Sequence, residues 1–176
     1  LRGKPAARTQ WAADQLKAQP EIVFLFIGTG ARFGEVRAAA QARGLGNVRL
    51  LPPESRADLP AALAAADTHL VTLKPGFARL VYPSKLAGVL AAERPVLFIG
   101  PADGEIARLL AREECGAAFA PADGAALAAT IATWRADPPI RAQMGLRARA
   151  AYEEQFTLAA ALAQWDAILH RAQAAP

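Results

Sequence analysis

Residues 22–27, Ile-Val-Phe-Leu-Phe-Ile, form an unbroken apolar run that stops at Gly28-Thr29-Gly30. A strand with one wet face alternates apolar and polar residues, whereas a strand covered on both faces does not. The run therefore predicts a buried strand of a parallel sheet, and parallel neighbours must be joined by helical crossovers. The rest of the chain has that rhythm. Helices are expected at 5–17, where Pro5 sets the first turn, and at 31–43, closed by Gly44. Further strands are expected at 47–51, 68–72, 95–99 and 116–120. Between and after them come helices at 58–66, 84–92, 105–112, 123–134 and 138–154, then a last one capped by Thr157. Leu158, Leu162, Trp165 and Leu169 recur at helical spacing and predict one apolar stripe on that last helix. The expected fold is α/β, a parallel sheet of about five or six strands with helices on both faces and a helical C-terminal tail. The pattern is read as a single domain over residues 1–176. It opens on a helix where such sheets open on a strand, and Leu1-Arg2-Gly3-Lys4 reads as the loop after a missing first strand.

Composition narrows the chemistry. The hydrophobic fraction is 53%, but much of it is Ala, so the bulky residues must be concentrated in the short runs that form the core. The net charge of +4 comes from scattered basic residues, which argues against nucleic acid and suits a small phosphate-bearing ligand. A lone Cys115 excludes an internal disulfide and a Cys-only metal site, and points to a reducing compartment. No apolar run approaches the roughly 18 residues of a membrane-spanning helix.

Two segments could bind an anion. Gly28 and Gly30 lie where the first strand meets its helix, and glycines there let a phosphate approach the backbone. A tight strand-to-helix turn explains them equally. The dinucleotide fingerprint is incomplete, because the third glycine is Gly34, one residue late, and Leu50-Leu51-Pro52 stands where an acid is expected. The second segment is Pro83-Ser84-Lys85 at a helix start, where unpaired N–H groups, a hydroxyl and a fixed charge would meet a diphosphate. The alternative there is an N-cap serine beside a solvated lysine. Gly104 and Glu105 open another helix; an acid at a helix start is explained by the helix dipole, and a contact to sugar hydroxyls is the other reading. Arg2 and Lys4 could add cations to a diphosphate or belong to a frayed end. His69, within a strand, reads as a packed neutral residue. There is no nucleophile–base–orienter set, no metal-ligand cluster, and no set of acids for a phosphoacceptor domain.

In order, Pro83-Ser84-Lys85, Leu90-Ala91-Ala92-Glu93-Arg94-Pro95-Val96, Gly104-Glu105, Gly116, Ala120-Pro121-Ala122-Asp123 and Met144-Gly145 resemble the C-terminal, nucleotide-sugar-binding domain of GT-B-fold glycosyltransferases of family 4 (group 1). The branch most similar contains colanic-acid and other surface-polysaccharide enzymes, and the likeness runs over about residues 22–169. It implies a Rossmann-like half that binds a UDP- or GDP-sugar donor, facing a second half that binds a glycan or lipid-linked acceptor. Carried over, Gly28 and Gly30 lie near the nucleotide and Leu51 and Pro52 near the base. Ser84, Lys85 and Leu86 approach the diphosphate and sugar. The resemblance implies retention of anomeric configuration, with the nucleotide-sugar as substrate and neither a cofactor nor a bound metal. Two departures stand out. Where many members carry two glutamates eight positions apart, this chain has Leu80 and Gly88, and where a glycine often precedes the Arg-Pro-Val strand it has Glu93. A glycine would accept the left-handed conformation at that helix end more easily than glutamate.

The expectation is therefore a donor-binding half of a retaining glycosyltransferase, with no confident catalytic residue in this half. The isolated chain should be inactive, because the N-terminal domain with the acceptor site is missing. A cytoplasmic location follows, with peripheral attachment at the inner face of the plasma membrane if the acceptor is lipid-linked. A non-catalytic nucleotide- or partner-binding module and half of a sugar-nucleotide epimerase remain as alternatives.

Overall fold

The computed structural model describes residues 12–77 and 82–174, with the backbone alone at Pro75 and Ala174. The order of elements is α1 (12–15), β1 (Phe24–Ile27), α2 (Phe33–Ala42), β2 (Val48–Leu51), α3 (Leu59–Ala64) and β3 (His69–Thr72). After a 3-10 turn (Pro75–Phe77) come α4 (Ser84–Ala91), β4 (Val96–Ile99), α5 (Glu105–Arg112), β5 (Gly116–Phe119), α6 (Gly124–Ala136), α7 (Pro138–Gln155) and α8 (Leu158–Ala174). All the pairing is parallel, in two groups: β1 with β2, and β3–β4–β5 in that order. The α/β class and the helical C-terminal end are as expected, while the described strands fall in two ladders rather than one continuous sheet.

β4 is the centre of the larger ladder, and all four of its residues are buried. Its alternation separates two cores. Leu97 and Ile99 join Phe24 of β1, Phe119 of β5, Ala12 and Leu16 at α1, Ala40 of α2 and Leu127 and Trp134 of α6. Val96 and Phe98 join Val71 of β3, Leu86 and Leu90 of α4 and Ile106 and Leu110 of α5 on the other face. β4 is covered on both faces, as an unbroken apolar run requires, but β1 is not: Phe24 is buried, whereas Val23, Leu25 and Ile27 are about two-fifths exposed, which corrects the expectation for residues 22–27. Close approach fixes the packing at two glycines: a Cβ on Gly116 would lie 2.3 Å from the Val96 carbonyl oxygen, and one on Gly145 would lie 2.5 Å from that of Glu93.

The helix ends follow the expected residues with some corrections. Gly44, at φ +62, closes α2, and Thr157 Oγ1 accepts from the Ala160 N–H at 3.1 Å. Asp137, not singled out from sequence, caps α7 by accepting from the Ile140 N–H at 3.0 Å. Asp123 occupies the N-cap of α6 without a side-chain bond. Glu93 ends α4 in the left-handed conformation, at φ +59, so the departure from glycine there is a strained one. The stripe on α8 is present but uncovered among the described residues: Leu158, Leu162, Trp165 and Leu169 are all exposed.

Candidate functional site

Within each ladder the parallel strands deliver their C-terminal ends to one side, with α2 beginning beyond β1 and α4 and α5 beginning beyond β3 and β4. Neighbouring strand exits are tied by backbone bonds. Gly28 N–H donates to the Leu51 carbonyl at 3.2 Å, and Leu73 N–H donates to the Ile99 carbonyl at 3.0 Å. The structure thus brings Gly28 beside Leu51, which the sequence placed in one nucleotide site. Gly28 has φ +131, a conformation open to glycine and costly to other residues, and no atom lies within 4 Å of where its Cβ would be. At Gly30, too, no described atom lies within 4 Å of the Cβ position. Leu51 and Pro52 are exposed at the end of β2.

At the start of α4 the N-cap position is Pro83, so Ser84 is the first helical residue and does not cap it. The Ser84 and Lys85 side chains are exposed, and neither makes a hydrogen bond or ion pair with the described residues. The hydroxyl, the ammonium and the N–H groups of Ser84 and Lys85 stand together with no hydrogen-bond partner among the described residues. Leu86 is different. Its side chain is fully buried in the core with Phe98 and Val89, and its N–H already donates to the Pro83 carbonyl at 3.0 Å. That corrects the expectation of a contact through Leu86: its side chain holds α4 to the sheet and is withdrawn from the crevice.

Gly104 sits at the N-cap of α5 with Glu105 next, and both line a shallow depression with Leu73, Tyr82, Phe98, Pro101 and Ile106. A Cβ on Gly104 would come 3.2 Å from the Pro101 carbonyl oxygen, so the loop leaves no room for a larger residue without moving. Arg108 Nη1 donates to the Asp103 carbonyl at 2.6 Å and holds this loop against the helix. Tyr82 stacks on Phe156 with ring centroids 5.8 Å apart. Burial, then the Glu105 charge, pushes its hydroxyl up to about 12, so it stays protonated and able to donate at neutral pH. These residues enclose almost no volume by themselves, far less than a ligand pocket needs.

Sequence reasoning missed Tyr82 and Leu73 in that depression, although Tyr82 directly precedes the Pro-Ser-Lys string. It also missed Arg32, at the N-cap of α2 two residues beyond Gly30, where it pairs with Glu35 at 3.2 Å. Arg2, Lys4 and Leu80 lie outside the described residues. Gly88 lies in α4, where a Cβ would meet Leu63 Cδ1 at 3.4 Å, an ordinary contact. His69 lies at the opposite end of β3; its Nε2 bonds the Leu63 carbonyl at 2.8 Å, and burial pulls its pKa down, in keeping with a packed neutral ring. Among the described residues no group of three or more His, Cys, Asp or Glu could hold a metal ion. No described helix is long and apolar enough to cross a membrane.

Comparison with known proteins converges on one group. A family model described as "Glycosyl transferases group 1" matches residues 10–151. WcaI of Escherichia coli (strain K12), named for colanic acid biosynthesis glycosyl transfer, is 38% identical over 98 residues, which are 56% of this chain and 24% of that protein. Anabaena HepE, solved in complex with UDP-glucose, has a TM-score of 0.72 at 20% identity over 97% of this chain and 47% of its own. The solved C-terminal domain of a group 1 glycosyl transferase, LpcC of Francisella tularensis, has a TM-score of 0.65 at 16% identity, covering 90% of this chain and 83% of that domain. The chain spans between a quarter and a third of the length of the curated relatives it matches.

Proposed function

Because the chain belongs to the group 1 glycosyl transferases, we propose that it is the donor-binding half of a retaining enzyme. It takes a UDP- or GDP-sugar and hands the sugar to a glycan or lipid-linked acceptor held by a second, N-terminal domain. The observation that carries this reading is the start of α4, beyond the C-terminal end of β3, where Ser84 and Lys85 stand exposed beside the first helix N–H groups with no side-chain partner among the described residues. The likeness to a solved C-terminal domain and to a structure holding UDP-glucose supports it.

The chemistry follows from charge. As the bond from sugar to diphosphate breaks, negative charge gathers on the leaving phosphate oxygens. The Lys85 ammonium, the Ser84 hydroxyl and the α4 N–H groups are fixed donors that strengthen their hold as the charge grows. The Gly28 backbone admits the nucleotide close to β1, Leu51 and Pro52 border the base, and Gly104 and Glu105 face the sugar with Tyr82 as a neutral donor beside them. Arg2 and Lys4 add cations if the preceding loop reaches the same edge. No described residue acts as a base toward an acceptor, so the chain alone is expected to bind donor and turn nothing over. Neither cofactor nor metal is part of this mechanism. The enzyme works in the cytoplasm, at the inner membrane face when its acceptor is lipid-linked.

Calorimetric titration of the full-length protein with UDP, GDP and ADP tests the reading. Selective binding of one uridine or guanosine diphosphate supports it, and binding of none overturns it in favour of a non-catalytic module. Lys85→Ala in the full-length enzyme should lower kcat on the order of 10²-fold, as does loss of one charge-stabilising donor elsewhere. Unchanged turnover removes Lys85 from the mechanism, and epimerised rather than transferred sugar assigns the other reaction.

A further inference from the structure

Ser84 and Lys85 are exposed and make no bond with the described residues, so their place is set by the residues on either side of them. On the helix side that residue is Leu86, whose side chain is fully buried in the core. On the loop side it is Tyr82, one position before the Pro83 N-cap. The Tyr82 ring is 43% exposed, yet it has a partner: the Phe156 ring lies against it, with centroids 5.8 Å apart and planes inclined by 32°. That separation is within the range of a stabilising aromatic pair.

Phe156 is itself fixed. It is the C-cap residue of α7, and its N–H donates to the Tyr152 carbonyl at 2.9 Å. Its half-buried side chain packs on the core that contains Leu86, Val89 and Ile106. The preceding residue, Gln155, accepts from Arg112 Nη2 at 3.0 Å and donates to Glu113 Oε1 at 2.9 Å. Arg112 Nε donates to the same carboxylate oxygen at 2.7 Å, so a closed ring of bonds ties the end of α7 to the end of α5.

The far end of α4 is fastened to the same helix. The Glu93 carbonyl lies against Gly145, and Arg149 Nη1 donates to the Ala91 carbonyl at 2.9 Å. Eleven positions separate Tyr82 from Glu93, and eleven separate Gly145 from Phe156. α7 therefore runs antiparallel beside α4 over roughly 16 Å of helix. It grips α4 by the backbone at one end and, at the end that carries Ser84 and Lys85, by a single ring pair.

We propose that Phe156 is a positioning residue for the diphosphate: through the Tyr82 ring it fixes the Ser84–Lys85 backbone, and with it the reach of the Lys85 ammonium. The proposal rests on the reading of the α4 start as a donor site. Phe156 touches no ligand. It acts because a lysine on a flexible four-carbon stem must be ordered to hold a phosphate, and ordering costs less when the backbone that carries it is already fixed. A misplacement of about 1 Å at such a contact is enough to matter.

Calorimetric titration of the full-length protein with UDP and UMP, and with GDP and GMP, tests it. The ratio of the monophosphate to the diphosphate dissociation constant isolates the second phosphate. Lys85→Ala should lower that ratio about tenfold, as loss of one charged hydrogen bond does. Phe156→Leu, which keeps apolar volume and loses the ring, should lower it about three- to tenfold and leave monophosphate affinity within about twofold. In the Lys85→Ala background Phe156→Leu should lower it no further, because its effect passes through Lys85. Phe156→Tyr keeps a ring and should restore the ratio. An unchanged ratio in Phe156→Leu overturns the proposal. So does an equal loss for monophosphate and diphosphate, or the same loss in both backgrounds, since each is the mark of packing alone. If Phe156→Leu loosens the fold, seen as faster exchange of the β4 amides, Tyr82→Leu makes the same comparison from the exposed ring. Absence of UDP and GDP binding by the unsubstituted protein overturns the donor reading and the positioning role together. Diphosphate binding that Lys85→Ala leaves unchanged overturns the positioning role alone.

Discussion

Gly145 gives the sharpest test of how the α4 platform is held. It is buried in α7 against the end of α4, and an added Cβ would sit 2.5 Å from the Glu93 carbonyl oxygen, where ordinary contact begins near 3.4 Å. Gly145→Ala must therefore open 3.4 − 2.5 = 0.9 Å between backbone atoms. The end of α4 cannot drift freely to provide it. Arg149 Nη1 donates to the Ala91 carbonyl at 2.9 Å, and Arg94 Nη1 donates to that of Glu93 at 3.1 Å. Overpacking costs about 1–3 kcal/mol, a clash against backbone atoms lies in the upper part of that range at about 2–3 kcal/mol, and the better helix propensity of Ala offsets about 1 kcal/mol. The net expectation is destabilisation by about 1–2 kcal/mol. Exchange of the β4 amides, Val96–Ile99, reads this within the full-length protein and should accelerate about 5- to 30-fold. Leu146→Ala, at an exposed position on the same helix, is the control and should move exchange by no more than about twofold. Unchanged or slower exchange in Gly145→Ala would show that the α4–α7 spacing is looser than described.

Other expectations follow from single features. Glu93→Gly should relieve left-handed strain and stabilise the domain by about 0.5–1 kcal/mol, seen as slower β4 exchange; a loss of stability would mean that the Glu93 side chain contributes more than its backbone costs. Burial holds the His69 pKa below 6.5, so its contribution is complete above that pH and is lost as pH falls from 6.5 toward its depressed native value. An acid titration of stability should show that loss, reduced in His69→Gln, and identical slopes for the two proteins would rule it out. Cys115 is buried and its thiol is pushed up to about 11, chiefly by burial, so thiol reagents at pH 8 should label it only after unfolding. Rapid labelling of the native protein at that position would contradict the packing around β5.

The alternation of elements was readable because each buried strand leaves a local mark, an unbroken apolar run closed by Gly or Pro. Gly44 and Thr157 likewise act within one turn of their own position. What the sequence concealed depends on distant partners. The division of the sheet is a matter of which strand lies beside which, and nothing in residues 22–27 or 68–72 encodes that. Leu86 looked like part of the binding string because it follows Ser84-Lys85. Its spacing with Val89 and Leu90, at three and four residues, is the core stripe of α4 and could have placed it inside. The left-handed Glu93 was flagged by comparison with glycine, but that its carbonyl packs on Gly145 and accepts from Arg94 depends on a helix fifty residues away. Tyr82 carries no local signal; only Phe156, far along the chain, shows that its ring is held.

The all-parallel ladders also govern how this chain reaches its native state. No two strands can zip from a hairpin, since the registered pairs Phe24–Val48, His69–Val96 and Val96–Gly116 are separated by 24, 27 and 20 positions. Each ladder must wait for a helix to form and dock before its ends can meet, and that loop entropy is spent before any ladder bond repays it. The shortest closure belongs to β4 with β5, and β4 is also the strand whose burial is most complete. Collapse is therefore expected to start where β4 and β5 meet, with β1–β2 and β3–β4 closing later, and strand edges still unpaired at that stage are the surfaces a folding chain must shield from its neighbours.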